Sequence, residues 1–159
     1  MAGVKLESRK PITIAYIEHV GSYGNIPFDR YIGQLYGWVK EAKVMPGFYP
    51  MGIFHSNPKE TPPEKCKTSV AIAIHGKAKP KGEIKIKKLP AMKVAAYSHK
   101  GPASEYQNSY DKLESWMKEK GYELAACPME IYSKKPEMVK GEMILYAKIM
   151  MPVKKKKGK

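Results

Sequence analysis

No apolar run in this chain approaches the ~20 residues that crossing a bilayer requires, and Met1–Lys10 has no apolar core of the kind a secretory leader carries. A cytoplasmic protein without membrane contact is the expectation. There are two cysteines, Cys66 and Cys127, which excludes a disulfide framework and leaves no cysteine pair at metal-ligand spacing. Both read as reduced thiols. Arginine is scarcer still, with Arg9 and Arg30 alone, and neither a recognition-helix pattern nor an aromatic–glycine RNA-binding run is present. No serine–histidine–aspartate order stands out, and the four histidines are scattered, without a carboxylate or cysteine at ligand spacing. Neither a metal nor another cofactor is expected.

Lysine, by contrast, is plentiful. The formal net charge is +14, of which Lys154–Lys159 supplies five, and six more lysines lie between Lys77 and Lys88. Such a surface attracts polyanions without specificity and keeps a protein in solution. At 159 residues and 43% hydrophobic composition the chain suits one domain with a proper core.

The chain also contains itself twice. Val4-Lys5-Leu6 returns as Ile84-Lys85-Ile86, Ile14-Ala15 as Val94-Ala95, and His19-Val20-Gly21 as His99-Lys100-Gly101, all at an offset of 80. The offset then becomes 78: Leu35 and Trp38 match Leu113 and Trp116, Pro50-Met51-Gly52-Ile53-Phe54 matches Pro128-Met129-Glu130-Ile131-Tyr132, and Pro58 matches Pro136. Fixed-period self-similarity is the mark of a duplicated unit. The copies run over about residues 3–76 and 83–153 of a single domain, 1–153, and the basic tail 154–159 is expected to be disordered.

Each copy reads as strand, helix, strand, strand. The first comprises Ile12–His19, a helix from Ile26 to Lys43, then Tyr49–His55 and Thr68–His75. Asn25 suits the helix N-cap, and Met45-Pro46-Gly47 stops the helix. The second comprises Met92–His99, a helix from Ser104 to Lys120 capped by Gly121, then Cys127–Ser133 and Glu142–Met151, ended by Pro152. Gly82–Leu89 reads as a linker that becomes an edge strand. Trp38 and Trp116 are expected to plug the core. Gly33 and Gly37, four apart on one helical face, suggest close packing on the sheet, and His19 and His99 a shared contact at the strand end.

The fold class that follows is α+β: two pseudo-twofold strand–helix–strand–strand units forming antiparallel sheet, with two long helices on one side and a ligand groove on the other. Alternation sorts the strands by face. Met51, Ile53, Met129 and Ile131 are expected with the helices, and Gly52, Phe54, Glu130 and Tyr132 with the groove. Val70, Ile72 and Ile74 share one face of their strand, and the small Ser69, Ala71 and Ala73 the other, where they would leave volume beside a carboxylate. Both alternating sets of Ile12–His19 include a large residue (Tyr16 against Ile17), so which of them meets the groove stays open. A mid-strand glutamate is costly to bury without a partner, so Glu130 either faces water or has a task. Its counterpart in the first copy is Gly52, so the twofold yields one carboxylate rather than a repelling pair.

The order His99-Lys100-Gly101-Pro102, Leu113-x-x-Trp116, Gly121, Pro128-x-Glu130-Ile131-Tyr132, Pro136 resembles the GyrI-like small-molecule-binding domain, which is also the effector-binding half of multidrug-responsive transcription regulators. The resemblance spans about residues 3–153. It implies a ligand groove where the two units join, with one glutamate in its floor meeting cationic aromatic or lipophilic molecules. Glu130 holds that motif position, and Tyr146 fits the aromatic that accompanies it on the following strand. A DNA-binding helical domain before Val4 is not expected, and the resemblance is to stand-alone members. These include a modulator of DNA gyrase and enzymes that open strained rings in DNA-alkylating natural products.

Three functions are consistent with this sequence. The first is a small-molecule-binding module that senses or sequesters a lipophilic cation or drug-like aromatic. Its site is Glu130 walled by Tyr146, Tyr132, Tyr49 and Phe54, with Gly52 leaving room; each ring adds ~0.5–2 kcal/mol of cation–π attraction. The second is a hydrolase of electrophilic or strained-ring xenobiotics. There Glu130, its pKa raised by an apolar pocket, is the general base, and Tyr146 or Tyr132 gives a proton to the leaving oxygen. The third is a modulator that turns its basic surface toward gyrase or nucleic acid. Nothing in the residues fixes a monomer or a dimer.

Overall fold

The computed structural model describes residues 3–23, 26–57 and 59–156. In chain order its elements are β1 (Lys5–Arg9), β2 (Ile12–Val20), α1 (Phe28–Ala42), β3 (Met45–Phe54), β4 (Lys67–His75), β5 (Lys85–Leu89), β6 (Met92–Gly101), α2 (Tyr106–Lys120), β7 (Tyr122–Leu124), β8 (Met129–Val139) and β9 (Glu142–Lys155). The α+β class and the antiparallel pairing expected from the sequence are present, with one 15-residue helix per unit. Neither helix is long and apolar enough to cross a membrane. Asn25, Pro58 and Lys157–Lys159, which figured in the cap, the repeat and the tail, lie outside the described residues, while Lys154 and Lys155 of the tail expected to be disordered continue β9 and pair with β7.

Two compact units are formed. One runs from Pro11 to Pro90; the other combines the chain up to Lys10 with everything from Ala91 on. In the first, the strands lie in the order β3-β4-β2-β5; in the second, β1-β6-β9-β8, with β7 also on β9. The cut differs from that between the repeated copies. β1 pairs with β6, placing Lys5 opposite Ala96, and β5 pairs with β2, placing Leu89 opposite Ile12. The first strand of each sequence copy therefore completes the sheet of the other copy. As expected of Gly82–Leu89, β5 pairs with β2 alone in its sheet, and its exposed Lys85 and Lys88 are what keeps such an edge from accepting another strand.

In the Pro11–Pro90 unit, α1 packs Tyr31, Leu35, Trp38 and Val39 on Ala15, Ile17, Val70, Ile72 and Ile74. In the other, α2 packs Leu113, Trp116 and Met117 on Ala95, Ile149, Met151 and Val153. Leu35 and Leu113 correspond across the repeat and are fully buried, each worth ~1.5–3 kcal/mol of transfer free energy. Both tryptophans are core residues. Gly121 takes the left-handed conformation at the end of α2 (φ 78°), while α1 ends on Lys43 with φ 57° in the same role.

Several expectations need correction. α2 starts at Tyr106, after a single 3-10 turn over Ala103–Glu105. β8 does not stop before Lys134-Lys135-Pro136. It runs on to Val139, and its register shifts between Ile131 and Lys134 and again between Lys134 and Glu137. Such bulges let a strand carry a proline. The hairpin closes through Lys140 and Gly141, both at positive φ as a two-residue turn requires. Pro152 does not end β9 either. Its carbonyl accepts from Ala125 N at 2.8 Å, and a strand residue points its N and O to the same side, so the ladder to β6 needs no donor there.

Gly33 and Gly37 are exposed, and a Cβ built on either meets nothing within 4 Å, so close packing on the sheet is not their reason. Gly33→Ala should accordingly stabilise the protein by about 0.5–1 kcal/mol through the unfolded chain and the helix propensity alone. Urea unfolding checks this, and a loss of stability would mean that the position has a role beyond the helix.

Candidate functional site

Alternation grouped the strand residues as expected, but the faces are exchanged. Glu130 lies opposite Ile149, which packs against α2, so Glu130 and Tyr132 lie beneath the helix rather than on the open side. Gly52 likewise lies opposite Val70, which packs against α1. The small Ser69, Ala71 and Ala73 thus line the face opposite to Gly52, not the same one. The physical reason is that both faces of β8 are buried: Met129 is 2% exposed and Glu130 7%. Hydrophobicity could not show which of them the helix covers.

A carboxylate can sit under a helix only if it is supplied with donors, and it is. Tyr110 O–H donates to Glu130 Oε2 at 2.5 Å and Tyr132 O–H donates to Oε1 at 3.1 Å. Tyr132 follows Glu130 by two residues on the same strand. Tyr110 comes from α2, where Tyr106 precedes it by one helical turn on the same face. The Tyr106 ring stacks on His99 with centroids 4.2 Å apart. Three phenols and one carboxylate therefore meet between α2 and its sheet.

The electrostatics follow from this crowding. Burial pushes the Glu130 carboxyl above its ordinary range, against the opposing effect of the two phenol donors. The Tyr132 phenol is pushed up by burial and then by the neighbouring carboxylate, and the Tyr106 phenol is raised by the same two causes in the same order. The Tyr106 and Tyr132 phenols thus stay protonated, and Tyr132 remains a donor to the carboxylate.

The expected wall is only partly assembled. Tyr132 meets Glu130. Tyr146 points to the other face of β9, donates to Glu137 Oε1 at 2.5 Å, and lies under the ammonium groups of Lys134 and Lys100 at 4.8 and 6.0 Å. That arrangement holds the Glu137 carboxyl below its ordinary range, through the Tyr146 hydroxyl first and Lys134 second. Gly52, Phe54 and Tyr49 belong to the Pro11–Pro90 unit. There Gly52 is buried, Phe54 meets the edge of Tyr23 at 5.1 Å, and Tyr49 is 48% exposed.

Tyr106 and Tyr110, both on α2, are not among the site residues expected from the sequence. The repeat held the signal that would have found them. At the offset of 78, Tyr106, Tyr110, Glu130 and Tyr132 fall on Phe28, Ile32, Gly52 and Phe54. Every polar group of the cluster is missing from the other copy, so the four residues differ between the copies as a set.

The histidines behave as a pair. His19 Nδ1 lies 2.9 Å from the Tyr31 hydroxyl and His99 Nδ1 2.7 Å from the Ser109 hydroxyl, and Tyr31 and Ser109 also correspond at 78. This is the strand-end contact expected of them: strand tied to helix, once per unit. His99 and Ser109 also line a cleft of about 390 Å³ with Tyr97, Lys100, Glu105 and Lys112. Among the described residues no three His, Cys, Asp or Glu side chains gather as a metal site would need.

The model of the GyrI-like small molecule binding domain matches residues 3–154. The testis-expressed protein 264 homolog of Mus musculus is 29% identical, over 83% of this chain and 46% of its own length. The chain thus spans less than half of that curated relative. The fold matches the EcmrR C-terminal domain at a TM-score of 0.78, with 21% identity over 96% of this chain and 98% of that one. It also matches SAV2435 bound to tetraphenylphosphonium, at a TM-score of 0.56 and 13% identity over 95% and 93% of the two chains.

Proposed function

The chain belongs to the GyrI-like small molecule binding domain family, and from that premise we propose that it receives a lipophilic or aromatic cation at Glu130, among Tyr106, Tyr110 and Tyr132. One observation carries the reading. A carboxylate 7% exposed is held by phenols beneath α2, while the matching positions of the other copy hold no polar group at all. Structural need does not explain the difference, because the apolar version packs its own helix on its own sheet. A cation gains from the carboxylate in a medium of reduced dielectric and from the ring faces around it. The tetraphenylphosphonium bound by a protein of the same fold is of that chemical type.

A thermal-shift screen of cationic dyes and aromatic drugs tests this. Ligands of the native state should raise the unfolding midpoint with concentration, and Glu130→Gln should remove the shift. Affinity should also rise with pH. The Glu130 carboxyl is raised above its ordinary range, so at low pH a cation must displace a proton that at higher pH is already gone. A cation whose affinity is unchanged by Glu130→Gln binds elsewhere and contradicts the reading.

The raised carboxyl favours a second reading, in which Glu130 takes a proton from water attacking an electrophilic carbon and a phenol supplies one to the leaving oxygen. Glu130→Gln would then still bind a strained electrophile but fail to convert it, whereas a pure binding module turns over nothing in either form.

A further inference from the structure

Resting on that reading of Glu130, we propose that the site selects cations that carry N–H donors, arylalkyl monoammonium ions, over quaternary ammonium and phosphonium ions. Glu130 Oε2 already accepts from Tyr110 at 2.5 Å and Oε1 from Tyr132 at 3.1 Å. A carboxylate offers roughly four lone-pair positions, so two remain open or must be exchanged. A primary ammonium reaches them at hydrogen-bond distance. It can take an open lone pair beside the phenols, or replace the Tyr110 hydroxyl and leave Oε2 still satisfied.

A methylated cation has nothing to donate. Its charge is covered by carbon, so it stands off the oxygens at van der Waals distance, and any phenol it displaces leaves a buried acceptor without a partner. Losing one donor from a buried charged group costs more than a surface contact returns. The rings around the carboxylate come from two elements: Tyr106 and Tyr110 are one helical turn apart on α2, with Tyr106 stacked face to face on His99 at 4.2 Å, and Tyr132 follows Glu130 on β8. The ammonium then lies at the carboxylate and the aryl group against the phenol faces.

The test is a methylation series titrated calorimetrically into the whole chain: 2-phenylethylammonium, its N,N,N-trimethyl derivative and tetraphenylphosphonium, each also into Glu130→Gln and Tyr132→Phe. The primary ammonium is expected to bind at least about ten-fold more tightly than its trimethyl derivative, a factor that corresponds to ~1.4 kcal/mol. That preference should vanish in Glu130→Gln. If the trimethyl derivative or the phosphonium binds as well as or better than the primary ammonium, and Glu130→Gln weakens it, donor selection is wrong while the cation site stands. If no cation binds the unaltered chain, or Glu130→Gln changes none of them, the reading of the site fails and the selection with it. The series in the unaltered chain decides the preference even if a variant fails to fold.

Discussion

Gly52→Glu is expected to destabilise the protein by about 3–5 kcal/mol at neutral pH, the cost of burying a charge without compensation. Gly52 is buried on the α1 face, at the position that Glu130 holds under α2. A carboxylate there would look for the donors that Glu130 enjoys and find Phe28, Ile32 and Phe54 in place of Tyr106, Tyr110 and Tyr132. It would respond by holding its proton, so its folded-state pKa would lie above the unfolded value. The stability of the variant should therefore be highest below the ordinary glutamate range, about pH 4.3, and fall as pH rises toward the raised value. Gly52→Gln separates the steric part, which has no pH dependence. Urea unfolding at low and neutral pH measures both. A Glu variant as stable as the Gln variant at neutral pH would falsify the claim that the phenols are what make Glu130 tolerable. Adding Ile32→Tyr and Phe54→Tyr should recover part of the loss.

The reverse experiment removes a donor from the site that has them. Tyr110→Phe deletes the hydroxyl 2.5 Å from Glu130 Oε2 and leaves the ring. Hydrogen bonds to charged groups are worth about 1.5–3 kcal/mol, so a loss of that size is expected where Glu130 is ionised. The sign of the pH dependence follows from burial, which already raises the Glu130 carboxyl. In the unaltered protein, stability from this group is complete below the ordinary glutamate range and declines as pH climbs through the raised folded value. Tyr110→Phe raises that value further, so the decline extends to higher pH and deepens. At acid pH both proteins hold the proton and the gap should narrow. A double-mutant cycle with Glu130→Gln isolates the pair, and its coupling should be of order 1–2 kcal/mol at alkaline pH and shrink on acidification. A pH-independent gap would mean that the hydroxyl matters only for packing.

Much of the fold was legible because the repeat is. Leu35 with Leu113 and Trp38 with Trp116 located two helices and their buried faces, and all four residues are in the cores. Glu130 was legible too, because a charge in the middle of an apolar strand has few explanations. Which side it faces was not. Period-2 alternation gives two sets and does not say which of them the helix covers, and Met129 is as deeply buried as the carboxylate beside it. Tyr106 and Tyr110 were missed because a tyrosine on a helix reads as apolar by its ring, although its hydroxyl requires a partner once buried. Tyr146 was carried into the site by resemblance to the family, and its hydroxyl is bound to Glu137 instead. A strand ending at Ser133 and another ended by Pro152 were the local expectations, and both strands run on. The bulges in β8, and the direction in which Pro152 points its missing donor, depend on neighbouring strands that local sequence does not contain.

The pairing of Lys5–Arg9 with β6 has a consequence for how the chain comes to be folded. This strand is synthesised between 83 (Arg9 to Met92) and 91 (Lys5 to Ala96) residues ahead of its partner, so it must wait, unpaired, until β6 has been made. Pairings so distant in sequence close slowly. A protease nick near Pro90 should leave the Pro11–Pro90 unit with all of its own strands, while the C-terminal piece lacks β1, which the N-terminal piece holds. At high concentration a waiting Lys5–Arg9 has a second option, the bare edge of β6 in another molecule, which would leave two chains interlocked by exchange of their first strands.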